Sequence, residues 1–160
     1  MTASAGPAPR YRFLVPLLVT LAVAVFVFSL VTTPFHPVPQ APSLIGTSWM
    51  LVSLDNGNGT LRTVTPGSNV TASFMNEGLL AGRAGCNWYS ANYTVTGSSS
   101  AITVGTAVRT AMACHDPLVM AQEDRYMDSL GRWAGYQIPG TKLIITDSSG
   151  KTILEFSQTG

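Results

Sequence analysis

The chain begins with a long apolar run and continues as short alternating segments separated by turn residues. Residues 13–31, "FLVPLLVTLAVAVFVFSLV", contain no charged side chain across 19 positions. As a helix this run would span roughly 28 Å, close to the ~30 Å hydrocarbon core of a bilayer. Pro16 falls near its start, where a missing N–H matters least. The run is longer than the apolar core of a cleaved signal, and no small-residue cleavage site closes it. An uncleaved transmembrane signal-anchor is therefore the first reading, a cleaved signal the second and a buried core helix the third. Next comes "TTPFHPVPQAPS", residues 32–43, with Pro34, Pro37, Pro39 and Pro42. It predicts an extended, semi-rigid linker.

From residue 44 the period becomes that of strands. "TSWMLVSL" ends in the turn-rich "DNGNG", followed by "NVTASFM", "LLAGRAGCNWYSANYTV", "SAITVG" and "TAVRTAMA". At the far end "TKLIITD" and "KTILEF" flank "SSG" and predict a hairpin. Short strands at this spacing predict an antiparallel barrel or sandwich. "HDPLVMAQEDRYMDSLGRWAG" breaks the pattern and predicts one amphipathic helix. Asp116 is its N-cap, Pro117 its first helical residue, and Gly131 or Gly135 its end. Val119, Tyr126, Leu130 and Trp133 share one stripe, and Asp124, Arg125, Asp128 and Arg132 face away, with Asp128 and Arg132 paired at i, i+4. The fold class is α+β, mainly β, with the helix packed on an antiparallel sheet and one transmembrane helix ahead of it.

Glu123 lies inside that apolar stripe. A buried carboxylate must find donors or lose its charge. One reading makes it a tuned acid or base. The other makes it a structural group holding a loop N–H, an arginine such as Arg83 or Arg109, or a tyrosine hydroxyl, and this second reading is preferred.

Charge enters mainly through its asymmetry. Arg10 and Arg12 precede the apolar run and the next Lys or Arg is Arg62, so the positive-inside rule keeps residues 1–12 in the cytoplasm and exports the rest. Beyond the run seven Lys and Arg face eight Asp and Glu, a net charge of −1. That balance offers no footprint for nucleic acid and no polybasic patch for anionic lipid. His36, alone in the linker, is read as a bystander.

The two cysteines, Cys86 and Cys114, lie on the exported side, where disulfides persist. An even count there makes a disulfide the first reading, closing a loop of about 29 residues worth on the order of 3–4 kcal/mol. Three alternatives stay open. Either cysteine could be a nucleophile served by His115, although "CHD" sends adjacent side chains to opposite faces. Cys86, Cys114 and His115 could form a marginal zinc site. The pair could also remain reduced and buried. Asn58, Asn69 and Asn92 head three glycosylation sequons.

In their order and spacing these segments resemble the META domain family, which includes HslJ-like heat-shock and envelope proteins. Gly46, Thr47, Trp49 and Leu51 match its G-T-x-W-x-L opening. Gly82, Gly85, Cys86, Asn87 and Tyr89 match its G-x-x-G-C-N-x-Y centre. Thr110, Met112, Ala113 and Cys114 match its T-x-M-A-C segment, with Glu123, Tyr126 and Leu130 following. The resemblance covers residues 45–157. It implies a compact antiparallel β-barrel with one packed helix, a link to the envelope and heat-shock responses, and no catalytic residues that can be carried over. Unlike HslJ-like lipoproteins, this chain has no lipid-accepting cysteine after its apolar run.

The motif also makes sense without a reaction. Gly82 and Gly85 permit a bulge or close approach, Asn87 suits a turn, and Trp49, Trp88, Tyr89, Tyr93 and Phe156 fill a barrel or line an aromatic cleft. The resulting expectation is a cytoplasmic tail (1–12), a membrane span (13–31), a linker (32–43) and an exported META-like domain (44–160), in a single-pass cell-membrane protein. Its expected role is a non-enzymatic envelope or stress-response interaction module without metal or cofactor, contacting another envelope component. The alternatives are a binder of a small molecule or lipid in the barrel interior, and a cysteine-dependent hydrolase or redox enzyme using Cys86 or Cys114 with His115 and Glu123.

Overall fold

The computed structural model describes residues 43–96 and 100–159. The expected membrane span and almost all of the linker lie outside the described residues. Among the described residues, ten strands and one α-helix follow in chain order: β1 (Thr47–Asp55), β2 (Leu61–Thr63), β3 (Asn69–Phe74), β4 (Leu79–Gly85), β5 (Trp88–Thr96), β6 (Ala101–Val104), β7 (Val108–Arg109), α1 (Pro117–Leu130), β8 (Gly135–Gln137), β9 (Lys142–Thr146) and β10 (Thr152–Gln158). The strands run antiparallel in the order β1-β3-β4-β5-β6-β8-β9-β10, and β10 pairs back onto β1, closing an eight-stranded barrel. Of the two architectures the strand pattern allows, the barrel is the one formed. The short strands β2 and β7 extend it locally. β2 pairs with β1 at Ser53–Asp55, beyond the stretch that pairs with β3, and β7 pairs with β5 at Tyr89 and Ser90.

An eight-stranded barrel has an interior that side chains can just fill. The alternation along each strand supplies them: Trp49 and Leu51 from β1, Val70, Ala72 and Phe74 from β3, Tyr89, Ala91 and Tyr93 from β5. Phe74 meets Tyr93 edge-on at 5.1 Å and Trp133 at 6.3 Å, and Trp133 meets Phe156 at 6.2 Å. Alternation fails where the register slips, between Leu51 and Ser53 on β1 and between Thr152 and Leu154 on β10. There successive residues turn inward, burying Ser53, Leu54 and Asp55 together and Ile153 beside Leu154.

Two turns follow from aspartates. Asp55 Oδ1 accepts from the N–H groups of Gly57 and Gly59 at 3.2 and 2.7 Å, which shapes "DNGNG". Asp147 Oδ1 accepts from the Ser149 hydroxyl and from the Ser149 and Lys151 N–H groups, which closes the β9–β10 hairpin. The Ser149 hydroxyl bond is the main cause that holds the Asp147 carboxyl below its usual value.

The helix starts where the sequence places it, with Asp116 accepting from the Leu118 N–H at 2.8 Å and Pro117 at the first position. Gly131 ends it at φ −70°, so the left-handed freedom of glycine is not used there. Its buried face differs from the expected stripe. Gln122, Glu123, Tyr126, Ser129 and Leu130 are buried, Val119 is only half-buried, and Trp133 is buried from beyond the helix end. Arg132 ion-pairs with Asp55 of the barrel at 3.6 Å, in place of the expected helix-surface pairing with Asp128. Tertiary contact with β4, the β4–β5 turn and the loop before β3 rotates the helix so that Gln122 and Ser129 face inward along with Glu123.

Candidate functional site

The continuous run "LLAGRAGCNWYSANYTV" is two strands with a tight turn at Cys86 and Asn87. Gly85 precedes the turn at φ +137°, a backbone region that L side chains rarely adopt. The turn points two successive N–H groups outward, and the buried carboxylate of Glu123 occupies them. Glu123 Oε2 accepts from Cys86 N at 2.9 Å and Asn87 N at 2.8 Å. Oε1 accepts from Asn87 Nδ2 at 2.7 Å and from Arg109 Nη1 at 3.1 Å. Arg109 also reaches Asp124 through Nη2 at 2.8 Å. A fully buried carboxylate thus has four donors, which offsets the desolvation that would otherwise exclude it.

Asn87 extends this network to the segment after β7. Its Oδ1 accepts from Thr110 Oγ1 and from Met112 N, both at 2.7 Å, and its Nδ2 donates to Met112 O at 3.1 Å. Two residues later the Cys86–Cys114 disulfide pins the same segment to the turn, with Cα atoms 6.1 Å apart. Met112 contributes its backbone to the motif, while its side chain is 49% exposed.

The remaining motif positions are also structural. Tyr89 lies opposite Gly82 in the register, and its hydroxyl donates to Thr71 O at 3.0 Å. A Cβ on Gly82 would stand 2.1 Å from that carbonyl, so only glycine fits. Tyr126 from the helix completes the pair, with the hydroxyls of Tyr89 and Tyr126 2.6 Å apart. Burial pushes both well above the usual tyrosine value. At the domain start Gly46 adopts φ +79°, Thr47 Oγ1 donates to Leu44 O, and Trp49 Nε1 donates to Thr47 Oγ1 at 2.7 Å.

The pattern alone did not reveal Gln122, which is buried, donates to Ser68 Oγ and accepts from Thr65 N. Gln122, Tyr126 and Ser129 do share helical i, i+4, i+7 spacing. Polar side chains at two of the three positions hid the face. Among the expected aromatics, Trp49, Tyr89, Tyr93 and Phe156 are buried, but Trp88 is 55% exposed. Arg83 stacks over its indole at 5.3 Å instead of meeting Glu123. His115 is exposed, as are Asn58, Asn69 and Asn92. The zinc and nucleophile arrangements both need a thiolate, and the disulfide consumes both thiols. A concavity of about 450 Å3 beside the network is walled mainly by Ala111, Met112, Ala113 and Met120.

Comparison with known proteins agrees with this fold. The META domain model matches residues 42–160. A protein from Burkholderia xenovorans, solved by NMR, is similar at 25% identity and a TM-score of 0.59, over 79% of this chain and 98% of that one. A second NMR structure is similar at 19% identity and a TM-score of 0.53, over 70% of this chain and 88% of that one. No curated protein matches the chain.

Proposed function

The chain belongs to the META domain family, and from that premise we propose that it is a membrane-anchored, extracytoplasmic interaction module of the cell envelope. It is non-enzymatic and acts in stress conditions through contact with another envelope component. The observation that carries this reading is the Cys86–Cys114 disulfide at the centre of the family motif. Disulfides of this kind persist outside the cytoplasm, in agreement with the apolar run at 13–31 and its basic flank. The disulfide also ties up the two groups best suited to nucleophilic chemistry. Glu123, the one buried acid of the helix, is enclosed by four donors, three from the β4–β5 turn and one from Arg109 of β7. A ligand inside the barrel is the less favoured reading, because Trp49, Phe74, Tyr93, Trp133 and Phe156 already fill it.

The test is the mass of the full chain taken from its native membrane after alkylation, with and without reduction, alongside protease treatment of intact cells. The expected result is labelling of both cysteines only after reduction, and loss of the domain to external protease. Alkylation without reduction, or a domain protected until the cells are broken, would overturn the extracytoplasmic reading. A free thiol would reopen the enzyme reading.

A further inference from the structure

Trp88 is more than half exposed in a chain whose other two tryptophans are buried. Exposure of one large aromatic is ordinary by itself. Its surroundings are less so. On the β4 side Arg83, its register partner, lies over the indole at 5.3 Å, while the guanidinium Nη2 is directed to Gly85 O and Cys86 O at 3.4 Å each. The ring is therefore braced from one side. On the β7 side it opens onto a shallow concavity of about 320 Å3, lined by Trp88, Tyr89, Ser90, Val108, Arg109 and Thr110. Val108, opposite Ser90, is 63% exposed and adds an apolar contact beside the ring.

The outward face of β5 continues from Trp88 through Ser90, Asn92 and Thr94, with Thr103 alongside on β6. These are hydroxyl and amide side chains on a sheet surface. Charge is sparse: Arg109 is paired with Glu123 and Asp124, which leaves Arg83, stacked on Trp88 and directed at two backbone carbonyls, as the cation of this face. One such cation gives little hold on an acidic polymer, and Trp88 and Val108, with Leu79 set apart from them opposite Asn92, make a small patch for a lipid surface or an apolar protein partner. A flat aromatic platform followed by neutral hydrogen-bonding groups fits a neutral polysaccharide. The C–H face of a pyranose packs on the open face of the indole, and its hydroxyls exchange hydrogen bonds with Ser90, Asn92 and Thr94.

We propose that this face binds a strand of neutral polysaccharide, and that such a glycan is the envelope component this domain contacts. The proposal deepens the function given above and rests on it for its biological setting. The test uses the full chain in detergent micelles, produced so that its intact mass shows no sugar attached at Asn92. Chitohexaose and cellohexaose are titrated while tryptophan emission is followed. Trp49 and Trp133 are shielded, so a change on binding reports Trp88.

The expected result is a saturable blue shift with at least one of the two sugars and retention of the chain on chitin or cellulose beads. Trp88→Ala should remove the shift and weaken retention by about tenfold. Asn92→Ala should keep the shift and weaken binding about fivefold. Urea midpoints matching the parent chain exclude misfolding, and Trp88→Phe, which keeps an aromatic face, should restore part of the retention. Absence of both shift and retention in the parent chain would overturn the proposal. So would equal retention of Trp88→Ala, or capture of an envelope protein through Trp88 without any glycan binding. Binding is measured on purified protein, so its failure leaves the extracytoplasmic reading untouched, and failed cysteine protection leaves the sugar-binding result standing.

Discussion

Glu123 is an acid on an otherwise apolar stripe, and its geometry determines how it responds to substitution. Both of its oxygens face donors only: two backbone N–H groups, the Asn87 amide and Arg109. Glu123→Gln would bring an NH2 group against one of these donors, so the loss exceeds that of a single neutral hydrogen bond. Urea unfolding should show a loss of roughly 3 kcal/mol. Gly82 is constrained by space alone. Gly82→Ala places a methyl against the Thr71 carbonyl and should destabilise by about 3 kcal/mol while breaking the Tyr89 bond to that oxygen. The residue that needs donors was legible in the helical periodicity. Arg109 and a loop N–H were among the donors expected for it, and both are found, but which loop was not legible, because Cys86 and Asn87 are 37 and 36 residues away along the chain.

Among the elements, the helix and the strap between β7 and α1 behave differently. The helix start is local: an N-cap aspartate followed by proline sets it without help from the barrel. Asp116→Ala should therefore cost about 1 kcal/mol in the same unfolding assay and leave the helix in place. The strap is held from outside. Residues 110–113 are exposed and depend on Asn87 and the disulfide for their position. Replacing both cysteines by serine should cost about 3 kcal/mol and speed proteolytic cleavage of the strap, while the barrel keeps its β circular-dichroism signal. The strand pattern of "TAVRTAMA" was misleading for this reason. Only Val108 and Arg109 pair as a strand, and the rest is fixed by a side-chain amide and a disulfide rather than by a ladder.

For the whole molecule, the buried Tyr89–Tyr126 pair links pH to folding. Burial raises both hydroxyls above the ordinary value of 10.0, with their mutual contact adding to the rise at Tyr126 and partly opposing it at Tyr89. Unfolded tyrosines release protons near pH 10 and the folded pair retains them. Above that pH the unfolded state holds fewer protons, and stability falls as pH rises. Unfolding free energies from about pH 8 to about pH 11 should be flat and then decline. Tyr126→Phe should shift less over the same range, despite a lower starting value. Absorbance of the folded protein should show these two phenolates appearing only well above the ordinary tyrosine value.

The sequence by itself determined the things that depend on neighbours along the chain: the alternation of the strands, the helix cap, the aspartate-led turns, and the order of motif segments that marks a META domain. It also determined that Glu123 would be buried and would need partners. Closure of the barrel was decided only in three dimensions, because it depends on β10 returning to β1 across about a hundred residues. The same holds for the split of one apparent strand at Cys86 and Asn87, where a turn forms because a distant carboxylate satisfies its N–H groups. The helix rotation that buries Gln122 follows from the same cause. Local pattern reads the polarity of a side chain, but burial of a polar side chain depends on partners that only the folded chain brings within reach.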